Sequence, residues 1–365
     1  MSILETNKKL SEITQGKIII TENVSGELKK FVLNFHENKI FMLTDENTYK
    51  YCLPKLDSEL TKNFNIYTIK SGEENKNIDT LSKIWEFLTK EGADRKSLLI
   101  NLGGGMLTDI GGFAASTFKR GIEFINIPTS LLGQVDASCG GKTGINFAGL
   151  KNEIGIINQA QTVLIDSIFL QTLEKTEFLS GFSEMIKHSL IADKEYYEEL
   201  LSFDLSKKEL DRKKLNYLIE KSVIIKYKIT EHDPFEKGIR KALNFGHTFG
   251  HAFESLSHEQ NKPLKHGQAV AQGMICELFL SNKKKSFPIM KLLDISGKIM
   301  SIFEKFEFET TDFEKIINFI LHDKKNTNSQ INCTLLSELG IVEIDQKISE
   351  SEIKEALNYY LQIFL

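Results

Sequence analysis

Two histidines four residues apart, and a third further along the chain, are the first residues whose types and spacing could do chemistry. His247 and His251 lie in the segment L-N-F-G-H-T-F-G-H-A-F-E, which puts both on one face of a helix. His266 supplies a third candidate imidazole and Glu184 a candidate carboxylate. Two imidazoles from such a set, together with one carboxylate, are the ligands typical of an open catalytic zinc site. A hydrogen-bonded pair of core histidines would show the same spacing, so both interpretations stay open. Lys187 follows Glu184 by three residues, which is typical of a surface ion pair on a helix.

A run of three glycines at 103–105 is the second candidate site. It follows the apolar run S-L-L-I-N-L and precedes a helical pattern, at the carboxyl end of a predicted parallel strand, where ligands bind in open α/β sheets. Glycines let the backbone approach a pyrophosphate, and a helix N-terminus favours anions. Because the next glycine is Gly111, the G-x-G-x-x-G motif is absent, and a tight turn remains the alternative. Asp109, expected in the first helical turn, is either a carboxylate favoured by the helix dipole or a cofactor contact.

The elements that must position these residues differ between the two halves of the chain. The first half alternates helical patterns with β-rich runs, which predicts a parallel α/β sheet. The second half shows long apolar patterns of helical period. The β-rich runs lie at 17–20, 39–44, 64–69, 97–102, 122–127 and 162–166, and the helical patterns at 77–91, 175–203, 207–230 and 240–256. We therefore predict an α/β domain at 1–175, a mostly α-helical domain at 176–365 and an active site in the cleft between them. The stretches 282–286 and 322–330 are predicted to be loops.

Composition excludes several classes of protein. The 365 residues include 46 Lys and Arg against 50 Asp and Glu, and the net charge of −4 does not suit a nucleic-acid-binding protein. No run approaches the roughly 20 apolar residues of a membrane span, and the N-terminus has no apolar signal core. Four scattered cysteines without a C-x-x-C pair indicate free thiols in a reducing compartment. We expect a cytoplasmic enzyme that acts on a small molecule, without nucleic-acid or membrane partners.

Several motifs, in order, resemble those of the 3-dehydroquinate synthase family over nearly the whole chain. The first half contributes G-G-G-M-L-T-D-I-G-G-F from Gly103, F-K-R-G at 118–121, I-P-T-S-L-L-G-Q-V-D-A-S-C-G-G-K-T-G-I-N from Ile127 and K-N-E-I-G from Lys151. The second half contributes S-E-M-I-K-H at 183–188, R-K-A-L-N-F-G-H-T-F-G-H-A-F-E from Arg240, H-G-Q-A-V at 266–270 and D-K-K-N at 323–326.

The resemblance implies a Rossmann-like α/β domain that binds NAD and a helical domain that binds one divalent metal. It implies Glu184, His247 and His266 as the metal ligands, with zinc as the usual metal and cobalt as the alternative. The implied NAD contacts are Asp45, Asn47, Glu73, Lys76, Gly104, Gly105, Asp109, Thr129, Ser130, Lys142, Lys151, Phe169, Thr172, Leu173 and Glu177.

The implied reaction converts 3-deoxy-D-arabino-heptulosonate 7-phosphate into 3-dehydroquinate and phosphate, in the shikimate pathway of aromatic amino acid biosynthesis. His251 suits proton relay, and the planar guanidinium of Arg240 suits the substrate carboxylate. The implied substrate contacts are Asp136, Lys142, Asn152, Lys187, Lys226, Arg240, Asn244, His251 and Lys324, with Arg120 reaching in from the second subunit of a homodimer.

Three departures from the family pattern are visible. Gln268 stands where the family usually has the glutamate of H-G-E, which removes a carboxylate beside a metal ligand. The segment 156–160 and Gln272 also differ, and we interpret these as packing changes. The alternative functions are another sugar phosphate cyclase on the same scaffold, a metal-dependent polyol dehydrogenase, and a nucleotide-binding module without turnover. The lysines and arginine expected around a phosphorylated substrate disfavour the dehydrogenase.

Overall fold

The computed structural model describes residues 10–15, 17–206, 210–322 and 331–363. The predicted substrate contact Lys324, with the rest of the D-K-K-N motif, lies outside the described residues. Within them the chain groups into two compact units, one containing 10–174 with 204–227 and the other containing 175–203 with 228–363. No described helix is long and apolar enough to cross a membrane.

The first unit contains the predicted parallel sheet. Its strands are β1 (Ile18–Ile20), β2 (Ile40–Asp45), β3 (Asn65–Ile69), β4 (Leu98–Gly103), β5 (Glu123–Pro128), β6 (Lys142–Phe147), β7 (Leu150–Ile157) and β8 (Thr162–Ile165). Six of them form a sheet in the order β1-β8-β5-β4-β2-β3, and every neighbouring pair is parallel. The other two, β6 and β7, form an antiparallel pair that the sequence analysis did not predict.

Helices cover this sheet on both faces. The helices of this unit are α1 (Leu10–Ile13), α2 (Val24–Val32), α3 (Glu46–Tyr51), α4 (Ser58–Thr61), α5 (Ile78–Lys90), α6 (Gly105–Thr117), α7 (Leu131–Val135) and most of α10 (Arg212–His232), with 3-10 helices at Glu37–Lys39, Leu53–Lys55, Glu73–Asn75, Phe118–Arg120, Ala137–Cys139 and Ser167–Thr172. Along β2, Phe41 and Leu43 pack with α5 and α6, whereas Ile40 and Met42 pack with α2. Alternate residues therefore enter two cores, as expected for a sheet buried on both sides.

The second unit is mostly helical. Its elements are α8 (Lys175–Ala192), α9 (Lys194–Leu201), the last residues of α10 (Arg212–His232), α11 (His247–Glu259), α12 (His266–Lys285), α13 (Ile289–Ile302), α14 (Phe313–Leu321) and α15 (Glu350–Gln362), with 3-10 helices at Ile239–Asn244 and Thr310–Asp312. An antiparallel pair, β9 (Ile331–Glu338) and β10 (Ile341–Ile348), also belongs to it and was not predicted.

Three sequence predictions of local structure were wrong in detail. The pattern at 175–203 is two helices, because Asp193 accepts hydrogen bonds from the backbone of Glu195 and Tyr196 and starts α9. The predicted loop at 282–286 is instead the last turn of α12 and its C-cap, where lysines are favoured by the helix dipole. Asp109 is not in the first turn of α6, because that helix already begins at Gly105.

Candidate active site

The predicted cofactor contacts of the sheet-containing unit gather at the carboxyl ends of neighbouring parallel strands. Asp45 ends β2 and accepts hydrogen bonds from the backbone of Asn47 and Thr48, each at 2.9 Å, which starts α3. The others follow adjacent strands: Glu73 and Lys76 after β3, Gly104 and Gly105 after β4, Thr129 and Ser130 after β5, and Phe169, Thr172 and Leu173 after β8. Because these strand ends share one edge of the sheet, residues far apart in sequence line the position where such sheets bind ligands.

A buried ion pair lies at this edge. Lys76 is 3% exposed and its Nζ donates to Asp109 Oδ2 at 2.5 Å and to Asn152 Oδ1 at 2.6 Å. Burial raises the pKa of the Asp109 carboxyl to about 6, against the charge and hydrogen bond of Lys76, which lower it. The structure thus brings together three residues predicted from separate motifs.

The remaining predicted site residues of this unit lie on several other elements. Asp136 forms an ion pair with Lys226, whose Nζ also donates to the Asp136 backbone oxygen at 2.7 Å. The other three are exposed: Arg120 at the end of a 3-10 helix, Lys142 at the start of β6 and Lys151 in β7.

In the helical unit, α8 carries the predicted carboxylate ligand. Glu184 and Lys187 form an ion pair, but their side chains are only 1% and 2% exposed. The prediction of a surface ion pair was therefore wrong, because α8 is buried from Phe178 to Ala192. Glu177, a predicted NAD contact in the first turn of α8, forms an ion pair with Lys265 at 2.6 Å.

The three histidines meet because α11 and α12 pack very closely. One ring nitrogen from each of His247, His251 and His266 lies within 4.8 Å of the others. The centroid of the His247 ring is 5.3 Å from the centroids of both His251 and His266. A Cβ at Gly273 of α12 would lie 2.1 Å from the backbone oxygen of Gly246, so only glycine permits this approach.

Two carboxylates that the sequence analysis did not select also shape this cluster. Glu254 Oε2 lies 3.0 Å from His266 Nδ1. Burial lowers the pKa of His266, but hydrogen bonding to Glu254 and the negative charges of Glu254 and Glu184 more than offset this, so the pKa is raised. Buried Glu277 of α12 accepts hydrogen bonds from the backbone of Gly246 at 2.7 Å and Thr248 at 3.0 Å, which flank His247.

The sequence held only weak signals for these two residues. Glu254 ends the G-H-T-F-G-H-A-F-E motif and lies on the His247 and His251 face by spacing. Glu277 interrupts the apolar run M-I-C-E-L-F-L, and an acidic residue in such a run is buried only when it is paired.

The predicted substrate contacts Arg240 and Asn244 lie in the 3-10 helix before α11. Arg240 is buried and donates to the backbone oxygen of Pro234 at 2.7 Å. Asn244 donates to Glu236 Oε1 at 2.9 Å. Both side chains are thus held by the loop that precedes the histidine helix.

The side chains around His247 suit a divalent metal. Glu184 Oε1 is buried and has no hydrogen-bond partner among the described residues, while Oε2 is paired with Lys187. The same Oε1 lies 3.8 Å from His247 Nε2. A buried carboxylate oxygen is costly unless it is paired or coordinates a cation, so a carboxylate and neighbouring imidazoles fit a metal here.

Comparison with known families decides what this arrangement belongs to. Family models for the N-terminal and C-terminal parts of 3-dehydroquinate synthase match residues 66–180 and 181–326. The chain belongs to the 3-dehydroquinate synthase family. The resemblance inferred from the motifs is thereby confirmed.

Named members of the 3-dehydroquinate synthase family match this chain along its length. The enzyme from Parabacteroides distasonis is 45% identical over 353 residues, which cover 96% of this chain and 99% of that protein. The enzyme from Streptococcus pyogenes serotype M3 is 34% identical over 359 residues, which cover 96% of this chain and 98% of that protein.

A solved structure shares the fold. The 2-epi-5-epi-valiolone synthase from Streptomyces hygroscopicus, solved with NAD+ and Zn2+ bound, superposes with a TM-score of 0.83 over 99% of both chains at 22% identity. At that identity the likeness concerns the fold alone. It confirms the prediction of a parallel-sheet domain followed by a mostly helical part.

Proposed function

We propose that this protein converts 3-deoxy-D-arabino-heptulosonate 7-phosphate into 3-dehydroquinate and phosphate, as a carbon–oxygen lyase of the shikimate pathway. The observation that carries the proposal is the clustering of His247, His251 and His266 beside Glu184 in a chain of the 3-dehydroquinate synthase family. The substrate is a phosphorylated sugar acid, and its anionic groups suit Lys187 and Arg240 of the same unit.

We propose that the chain uses NAD and one divalent metal, zinc or cobalt. The metal ligands would be Glu184, His247 and His266, and NAD would lie at the carboxyl edge of the sheet within residues 1–175. When bound, the metal would supply a Lewis acid for substrate hydroxyls, and NAD would supply a hydride acceptor that is regenerated. The buried Glu184 oxygen, which has no hydrogen-bond partner within the part of the chain that the structure describes, supports the metal site. The predicted contacts that follow five neighbouring strands support the NAD site.

The side chains of the chain itself would orient the substrate and move its protons. His251 lies beside both proposed imidazole ligands, so its ring can accept a proton from a hydroxyl held there. Arg240 and Asn244 are fixed by the preceding loop, and Lys187 is held against Glu184. Fixed donors lower the barrier because they need little reorganisation during the reaction.

Product identification tests the proposed reaction. With the heptulosonate phosphate, NAD and Zn2+ or Co2+, we expect equal amounts of phosphate and 3-dehydroquinate without accumulation of NADH. Excess chelator should abolish turnover. Stoichiometric NADH formation from a polyol, without phosphate release from the sugar acid, would instead establish the dehydrogenase alternative.

Lys142 provides a sharper test, because a phosphate-binding lysine distinguishes the cyclase from a polyol dehydrogenase. Lys142→Ala should lower kcat/KM for the heptulosonate phosphate by at least ~100-fold, about 2.7 kcal/mol, and should leave metal binding intact. Lys83→Ala, in α5, is the matched control and should leave kcat/KM unchanged. Near wild-type phosphate release by a folded Lys142→Ala protein would remove this residue from the substrate site.

We further propose that the protein is a cytoplasmic homodimer. All four cysteines are free and buried, which suits a reducing compartment. Arg120 is exposed, as a residue that serves a second subunit must be in an isolated chain. Sedimentation of the purified protein should give twice the monomer mass.

A further inference from the structure

A carboxylate of α11 contacts Nδ1 of His266, one of the proposed metal ligands. Glu254 Oε2 lies 3.0 Å from His266 Nδ1, and the two side chains are 12% and 34% exposed. His247, His251 and Glu254 follow one another at intervals of four and three residues, so they share one face of α11. Helix α11 thus carries both the proposed ligand His247 and the carboxylate that contacts His266 of α12.

This hydrogen bond determines which ring nitrogen of His266 remains available to bind a metal. An imidazole that donates from Nδ1 to a carboxylate carries its proton on Nδ1 and keeps the lone pair on Nε2. Only a nitrogen with a lone pair can bind a metal, so Nε2 of His266 becomes the ligand atom. Carboxylates in this position fix the ring, raise its basicity and strengthen metal binding.

Gln268, which stands where the family usually has a glutamate, caps the start of α12 in this structure. Gln268 Oε1 accepts a hydrogen bond from the backbone of Lys265 at 3.1 Å, which closes the first turn of α12. An amide oxygen accepts that bond as a carboxylate would, so the departure at 268 preserves the helix start. Glu254 on the neighbouring helix supplies the carboxylate that contacts His266.

We propose that Glu254 is a positioning residue of the metal centre, which holds His266 through Nδ1 so that Nε2 faces the metal. The proposal rests on the proposed function, because it requires the metal to bind at Glu184, His247 and His266. It adds a residue outside that ligand set, and it assigns metal affinity to a contact between α11 and α12.

The test is a titration of the metal-free protein with Co2+, followed by calorimetry and by the visible absorption of the bound ion. Glu254→Gln keeps the size of the side chain and removes its charge, and we expect the Kd for Co2+ to rise by ~10–100-fold. Glu254→Asp keeps the charge on a shorter side chain and should recover part of the loss. Glu259→Gln makes the same change at an exposed position of the same helix and should leave the Kd unchanged.

A variant of a proposed ligand separates failure of this inference from failure of the proposed function. His247→Ala should abolish Co2+ binding. If the wild-type protein binds Co2+ and His247→Ala does not, an unchanged Kd in Glu254→Gln overturns the role of Glu254 and leaves the metal site intact. If His247→Ala binds as tightly as the wild type, the proposed metal site is wrong and Glu254 has no such role. Should Glu254→Gln fail to fold, the Kd of Glu254→Ala decides, because that variant also lacks the carboxylate and an unchanged value overturns the proposal.

Discussion

Two buried lysines, one in each unit, pair with a carboxylate, and the two pairs are built differently. In the helical unit, Lys187 and Glu184 are three residues apart on α8, and both are almost completely buried. In the sheet-containing unit, Lys76 follows β3 and Asp109 lies on α6, 33 residues away, with 21% of the Asp109 side chain exposed. The first pair lies within one helix, whereas the second joins two elements that meet only in the packed unit.

The comparison shows that spacing predicts partners but not their environment. An i,i+3 interval predicts contact between Glu184 and Lys187 correctly, yet the same interval occurs in the exposed pair of Glu59 and Lys62. What differs is the surroundings, since α8 is buried on all sides and α4 is not. Burial increases the cost of breaking a pair, because the remaining charge loses both its partner and water.

The largest effect should follow removal of the lysine from the fully buried pair. Lys187→Met leaves the Glu184 carboxylate buried without its cation, and the free energy of unfolding of the metal-free protein should fall by about 3–5 kcal/mol. Denaturant unfolding in the presence of chelator measures it. Lys62→Met, with the same spacing on the surface, should cost at most about 1 kcal/mol. Equal losses in the two variants would break the comparison.

A smaller effect should appear in the pH dependence of the second pair. Since the folded state raises the pKa of Asp109 from 3.8 to about 6, it binds the proton more tightly than the unfolded chain between these values. The contribution of Asp109 to stability is therefore full below about pH 4 and is lost as pH rises through 6. Relative to Asp109→Asn, the wild type should lose up to about 3 kcal/mol between pH 4 and 7. Parallel stability curves for the two proteins would contradict the burial of this carboxyl.

The smallest of the three effects should come from Lys76→Met. Without Lys76 the pKa of Asp109 rises further, and the carboxyl can take up a proton instead of remaining charged. We expect the free energy of unfolding to fall by about 2 kcal/mol at pH 7.5, less than for a fully buried pair, and by under about 1 kcal/mol at pH 5. Chemical denaturation at both pH values measures the difference. A pH-independent loss would show that the lysine stabilises the fold by packing and not by charge.

The sequence alone determined the family, the parallel sheet and most strand positions. Runs of β-branched and apolar residues at 39–44 and 97–102 correspond to β2 and β4 within one residue. Such runs predict strands well because the signal lies within a few consecutive residues. It also determined that His247 and His251 share a helix face, since helix geometry fixes the interval of four. The α6 start, the break at Asp193 and the two antiparallel pairs were missed, because they depend on caps and on distant partners.

Only the tertiary structure decided which distant groups meet and how much water reaches them. Glu254 contacts His266 because glycines let α11 and α12 approach closely, and no spacing within either segment encodes that distance. Lys76 reaches Asp109 and Asn152 because their elements meet at the carboxyl edge of the sheet. Sequence fixes contacts within one helix or strand through its regular geometry, whereas contacts between elements, and the pKa values they shift, depend on how the elements pack.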